Sequence, residues 1–202
     1  MANAALEDVP ARTNKLTDPF PVGGFTVDDV MSWDDGKRWE LIDGIPRMMA
    51  TPGIAHESMV EGLLEQLRIY FRGKPCAAFG SNTGVVLFPD REKSKQQFVI
   101  PDLKVVCDRE KIKPDNIYGS PDFVIEILSK GSKGYDFGEK KDVYEEAGIK
   151  EYWAIDSSMV YRFHLVDGKY SQAKYDMVFG LTLEPVIFPG FRIIFDGDLF
   201  YS

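Results

Sequence analysis

The stretch Pro121–Leu128, PDFVIEIL, restricts what this chain can fold into more than any other. Side chains two apart on a strand share a face, so Asp122, Val124, Glu126 and Leu128 project to one side and Phe123, Ile125 and Ile127 to the other. The strand is apolar on one face and mixed on the other. An ionised carboxylate in that setting costs several kcal/mol unless something compensates it. Asp122 and Glu126 lie roughly 13 Å apart on an extended strand, too far to hold one ion together, and Asp122 reads as a surface acid near the strand's end. A better partner for Glu126 is Asp102, which opens PDLKVVCD and is also preceded by proline. The segment between them lets two strands lie side by side and carry both acids to the same end of a sheet. Asp102, Glu126 and a main-chain carbonyl, that of Ile127, would hold Mg²⁺ or Mn²⁺ and leave waters on it. A salt bridge to Lys104 or Lys140 would also compensate the acids.

Size and composition narrow the class. At 202 residues, with 44% hydrophobic and 13% aromatic residues spread along the chain, one α/β domain with its own core is expected over residues 25–202. Residues 1–24, with three prolines, two adjacent glycines and no sustained period, read as a flexible lead-in. No apolar run reaches the roughly 18 to 20 residues needed to span a bilayer, and the N-terminus carries no signal pattern, so no membrane partner and a cytoplasmic location are expected. The formal net charge of −8 opposes nonspecific attraction to a polyanion. Residues 91–141 nevertheless carry 11 Lys/Arg against 9 Asp/Glu, and Lys93, Lys95, Lys111, Lys113, Lys130 and Lys133 read as solvated charge or, as the minority reading, a phosphate-tracking lane. Cys76 and Cys107 stand in no CxxC or Cys/His cluster, so each reads as a small buried hydrophobe rather than part of a disulfide or zinc site.

The periodicities interleave helices and strands. Thr26 and Asp29 form a capping-box pattern before a short helix, and RWELIDGIPRMMA predicts a hairpin turning at Asp43-Gly44. Val60, Leu63, Leu64, Leu67 and Phe71 recur at helical spacing over 56–72, ended by Gly73 and Pro75. Strands are predicted in CAAFGSNTGVVLF, QFVIPDLKVVCD, PDFVIEILS and KEYWAID, a helix from about Asp136 to Gly148, a hairpin turning at Asp167-Gly168, and a further strand in FPGFRIIF. This order favours a mixed central β-sheet flanked by helices.

The pattern of Pro101-Asp102, a gap, and Glu126 resembles the PD-(D/E)XK nuclease superfamily, although Leu128 stands where the superfamily places its lysine. The departure resembles one branch, a "putative restriction endonuclease" family of unknown function in which the lysine has moved to the following helix. ELIDG (40–44), His56 at the head of the long helix, PD (101–102), PDFVIEILS (121–129) and DFGEKKDVYEEAGIKEYWAID (136–156) carry the resemblance. It implies a restriction-endonuclease-like core, with Lys140 as the migrated lysine and Lys141, about 100° around the helix, as second choice. It also brings Glu40 and His56 towards the site. An acid on the long helix would be Glu57, Glu61 or Glu65, and the SKGS loop (129–132) departs from the family's Ser-Pro-Ser/Thr.

Read alone, Lys140 is a surface lysine, His56 a residue that starts its helix, and Tyr144, Tyr152 and Trp153 core residues, with His164 structural. The expectation is a metal-dependent endonuclease that hydrolyses DNA, working as a homodimer because two-strand cutting suits twofold symmetry. Asp102 and Glu126 would hold Mg²⁺ or Mn²⁺, and Lys140 would orient the attacking water or steady the transition state. A catalytically inactive binding or assembly module that keeps the nuclease fold, and a phosphodiesterase for small nucleotides, are the alternatives.

Overall fold

The computed structural model describes residues 24–129 and 133–196. The lead-in expected over 1–24 lies outside these apart from Gly24, as do Lys130 and most of the SKGS loop. Helix α1 (Val27–Met31) opens with the Thr26–Asp29 capping box and is followed by strands β1 (Trp39–Ile42) and β2 (Ile45–Met48). Their two-residue turn places Asp43 and Gly44 at positive φ, 51° and 72°, the primed geometry that matches strand twist. Helix α2 (Ile54–Phe71) leads to β3 (Ala77–Phe79), β4 (Val85–Leu87), β5 (Gln97–Val99), β6 (Leu103–Val106), β7 (Ile117–Tyr118) and β8 (Phe123–Ile127). One helical stretch follows, in three parts: α3 (Lys133–Tyr135), a π turn (Asp136–Lys140) and α4 (Lys141–Glu146). The chain ends with β9 (Glu151–Ile155), β10 (Met159–Val166), β11 (Lys169–Asp176), β12 (Leu181–Leu183) and β13 (Ile193–Phe195).

The architecture is mixed α/β, and its strands form two large sheets. One runs β2-β1-β5-β4-β7, the other β11-β10-β9-β8-β6-β3, and β12 pairs with β13 apart from both. Each large sheet holds one parallel pair, β4·β7 and β8·β9, among antiparallel ones. The stretch QFVIPDLKVVCD is therefore two strands in different sheets. Proline has no N–H to continue a ladder, and the chain crosses between the sheets at Ile100–Asp102. The sequence CAAFGSNTGVVLF divides likewise into β3 and β4.

Helix α2 buries Met59, Val60, Leu63, Leu67 and Phe71 against Leu103, Val105, Phe123, Ile125 and Trp153 of the six-stranded sheet. Each large apolar side chain so buried contributes about 1.5–3 kcal/mol. The sheet's other face packs Val124, Tyr152 and Ala154 on Tyr135, Val143 and Tyr144 of the helical stretch, and on Val85, Leu87 and Val99 of the five-stranded sheet. Alternation along β8 thus sorts its residues between two cores as the sequence pattern implies. Among the described residues no helix is long and apolar enough to cross a membrane.

The cysteines correct the sequence reading: Cys76 and Cys107 form a disulfide. Ala77 pairs with Val106, so the next residues outward, Cys76 and Cys107, face each other across two antiparallel strands. They lie 31 positions apart in the sequence, and only the strand pairing, which spacing does not reveal, brings them together. Four of the lysines read as solvated charge are held by local partners rather than forming a lane. Lys93 pairs with Asp28, Lys95 with Glu92 and Lys133 with Asp156, while Lys111 donates to the Ser120 carbonyl.

The β9–β10 turn is fixed by Asp156, whose carboxylate accepts hydrogen bonds from Ser158 N, Ser158 Oγ and Met159 N at 2.8 Å each and pairs with Lys133 at 2.8 Å. Burial alone would raise this carboxyl, but the Lys133 and Ser158 hydrogen bonds hold it down at about 2. A depressed carboxyl pKa contributes stability that is present above the unfolded value, 3.8, and lost as pH falls through the folded one. Asp156→Ala is expected to cost roughly 1–3 kcal/mol at neutral pH. Urea denaturation should show that deficit constant above about pH 5 and shrinking towards zero near the folded pKa.

Candidate functional site

Asp102 and Glu126 meet at the end of the β6·β8 ladder. The register Leu103↔Ile125, Lys104↔Val124 and Val105↔Phe123, continued by one residue, sets Asp102 opposite Glu126. The two acids are then locked by each other's backbone. The Asp102 N–H donates to Glu126 Oε2 at 3.2 Å, and the Ile127 N–H donates to Asp102 Oδ2 at 2.8 Å. Asp122, at the other end of β8, accepts from the Cys107 N–H and pairs with Lys150.

The helical stretch closes the site from above. Lys140 Nζ lies 2.9 Å from Glu126 Oε1, 2.9 Å from Glu40 Oε1 and 3.5 Å from Asp136 Oδ1. Tyr144 donates its hydroxyl to the same Glu126 Oε1 at 2.7 Å. Asp136, Lys140 and Tyr144 follow at intervals of four and share a helix face, and the π turn, which spans five residues per bond, adds Tyr135 to the same wall. Single π turns recur at functional sites. Glu40 enters from β1 of the other sheet and accepts from the Ile100 N–H at 2.8 Å, so it also anchors the crossover that carries Asp102. His56, in the first turn of α2, sets Nε2 3.1 Å from Asp102 Oδ2.

The structure therefore brings together Asp102, Glu126, Lys140, Glu40 and His56. It leaves Lys141 paired with Asp142 at the surface, and Leu128 packs among apolar neighbours. Of the three candidate helix acids, Glu57 lines the pocket and lies 3.7 Å from His56 Nδ1, whereas Glu61 and Glu65 are exposed further along α2. Lys104 is fully buried and donates to the Pro101 carbonyl at 2.8 Å. Sequence reasoning missed Asp136, Tyr135 and the pocket-lining Arg38 and Arg47, and saw Tyr144 only as core. The signal for Asp136 and Tyr144 was present, as i−4 and i+4 neighbours of Lys140. Arg38, whose guanidinium bonds the Ser81 carbonyl, and Arg47 gave none.

Burial and charge pull the groups in different directions. Burial pushes Glu126 up to about 8 against the opposing Lys140 charge. Burial would lower Lys140, but Glu126, Glu40 and Asp136 hold it well above an ordinary lysine, so it keeps its charge. Asp102 would rise on burial, but the hydrogen bond and charge of His56 and the Ile127 N–H keep it low. His56 would fall on burial, yet Asp102 and Glu57 raise it. Lys104 is driven by burial down to about 7 despite the Glu126 and Asp102 charges.

Asp102, Glu126, Lys140, Glu40, Asp136 and His56 line a pocket of about 300 Å³. Among the described residues no three His, Cys, Asp or Glu side chains gather as a metal-holding group. The interlocked carboxylates of Asp102 and Glu126 are the groups that could hold a hard cation, with waters completing its shell.

A family model described as "Putative restriction endonuclease" matches residues 27–195. The chain belongs to this family, Uma2. Among solved structures it is similar to a putative nuclease of the DUF820 group from Anabaena variabilis ATCC 29413, at 17% identity and a TM-score of 0.68, covering 87% of this chain and 97% of that one. That likeness establishes a shared nuclease-like fold. No curated protein matches the chain. The sequence resemblance to the PD-(D/E)XK superfamily agrees with both findings.

The Uma2 site's cohesion depends on Lys140. Removing one partner of a buried ion pair typically costs 3–5 kcal/mol, because it leaves a charge uncompensated. Lys140→Met is expected to lose about that much stability in chemical denaturation at pH 7. Adding Glu126→Gln to the same chain should restore part of it.

Proposed function

We propose that this chain is a metal-dependent endonuclease that hydrolyses DNA phosphodiester bonds. The observation that carries the reading is the convergence of Asp102 and Glu126 within one hydrogen bond of each other, with Lys140 on the same carboxylate. Membership of a restriction-endonuclease family and a nuclease-like fold support it.

Asp102, Glu126 and the Ile127 carbonyl would hold Mg²⁺ or Mn²⁺, which on binding neutralises phosphate charge and makes a water more acidic. The protein's part is to fix the geometry. The Ile127 N–H and His56 orient Asp102, and the Asp102 N–H and Tyr144 orient Glu126, so neither carboxylate needs to reorganise when charge arrives. Lys140 sits where it can pass from Glu126 to a water or to a phosphate oxygen, as a strongly hydrated point charge on a flexible stem. Glu40 and Asp136 hold its ammonium in the pocket until then.

Lys140 is engaged with three carboxylates, and no three His, Cys, Asp or Glu side chains gather as a metal-holding group among the described residues. These two observations favour, as a second reading, a nuclease fold used only for binding. Cleavage separates the two. Supercoiled plasmid should be nicked in Mg²⁺ or Mn²⁺ and left intact in EDTA. Asp102→Asn and Glu126→Gln should each lower the rate by more than about 100-fold while circular dichroism shows the chain still folded, as expected for losing a group that positions the cation. Plasmid left uncut by the wild-type chain, together with no heat of Mn²⁺ binding at millimolar concentration, would replace the nuclease reading with the binding module.

A further inference from the structure

Two buried polar atoms of the pocket lack a hydrogen-bond partner among the described residues, His56 Nδ1 and the Tyr135 hydroxyl, and only the second lies on the helical wall beside Lys140. Lys140 is taken by Glu126, Glu40 and Asp136, and Tyr144 by Glu126. The Tyr135 hydroxyl, on a side chain only 7% exposed, is shut off from solvent and has no hydrogen-bond partner among the described residues. A buried hydroxyl in that state bears the full cost of its desolvation with nothing in return. Phenylalanine would pack as well and avoid the cost. Burial, with Glu40 nearby, holds the phenol well above its ordinary value, so it stays protonated and is a standing donor.

The rest of its surroundings indicate what would accept that hydrogen bond. The Arg47 guanidinium, reaching over from β2, lies 3.9 Å from the ring centroid, and the Lys140 ammonium lies 5.5 Å away. Arg47 is otherwise held by Glu139 at 3.2 Å, in an ion pair about half exposed on both sides and therefore weak. A donor flanked by two cations, one of them on a weak tether, suits an anionic oxygen. A phosphodiester could take Arg47 from Glu139 in bidentate fashion and meet the hydroxyl beneath it.

We propose that Tyr135 is a catalytic residue whose hydroxyl donates to a non-bridging oxygen of the scissile phosphate, with Arg47 holding the same phosphate from the hairpin side. This rests on the nuclease reading of the pocket. No covalent step is asked of the tyrosine. It supplies a hydrogen bond that strengthens as charge builds on the phosphate oxygens.

Tyr135→Phe tests this, because it removes only the oxygen and leaves the ring for Arg47. Urea denaturation should find the variant as stable as wild type or more so. Single-turnover plasmid nicking in Mn²⁺ should be at least 10-fold slower, with Asp102→Asn as the inactive control. Nicking at the wild-type rate, or a clear loss of stability showing that the hydroxyl is a structural partner, would overturn the proposal. If the wild-type chain cuts nothing, the nuclease reading fails separately. Calorimetry with the dinucleotide pTpT in Ca²⁺ then decides the hydroxyl's role: binding at least fivefold weaker in Tyr135→Phe supports phosphate contact, and equal binding overturns it.

Discussion

The site rests on a reciprocal contact in which each of two buried acids is held by the other's strand. Asp102 takes the N–H of Ile127, and Glu126 takes the N–H of Asp102. A backbone N–H at the end of a ladder would otherwise lack an acceptor, and a buried carboxylate would otherwise lack donors. Each deficiency answers the other. The exchange needs antiparallel pairing and this register, since a slip of one residue would turn Glu126 into the core beneath α2. The hydrophobic alternation that fixes register in β8 therefore also fixes the chemistry at its end.

From that contact outward, charge organises the neighbouring elements. Glu126 and Glu40 belong to different sheets, and one ammonium joins them. Lys140 thus holds the two layers together at the point where the chain crosses between them. Its reach depends on the π turn, which widens the helix by one residue and sets Tyr135, Asp136 and Lys140 on the wall facing the acids. A regular helix would place Tyr135 and Lys140 about 140° apart around the axis.

Much of this was legible in the sequence. Apolar flanks around both acids, and a segment between them long enough for two strands to lie side by side, led to the expectation that Asp102 and Glu126 meet at one end of a sheet. The four-residue spacing suffices to put Lys140 and Tyr144 on one face. Elements with a strong local signature, such as the Thr26 cap and the two Asp-Gly turns, came out as expected. What was not legible depends on pairings between distant segments. Nothing near Cys76 or Cys107 says that β3 lies against β6, and nothing local in IPD says that the chain changes sheets there. Tyr135 escaped notice because it precedes the helix expected from about Asp136, and a π turn, which draws it onto the same wall, has no compositional signature.

The balance of charge in the pocket bears on what it can hold. Glu40, Glu57, Asp102, Glu126 and Asp136 line it against Arg38, Arg47 and Lys140, with His56 raised by its acidic neighbours. Five carboxyls outnumber three permanent cations, inside a protein whose net charge is already −8. A phosphodiester entering that field alone would be repelled. Burial raises the Glu126 carboxyl first, and the Asp102, Asp136 and Glu40 charges add to it, so a proton already supplies part of the missing positive charge. A divalent cation between Asp102 and Glu126 would do so more fully, and would release Lys140 from Glu126 by taking over its role. On the proposed nuclease reading, such a cation would serve the substrate's approach by offsetting that excess of negative charge, as well as the chemistry proposed for the pocket.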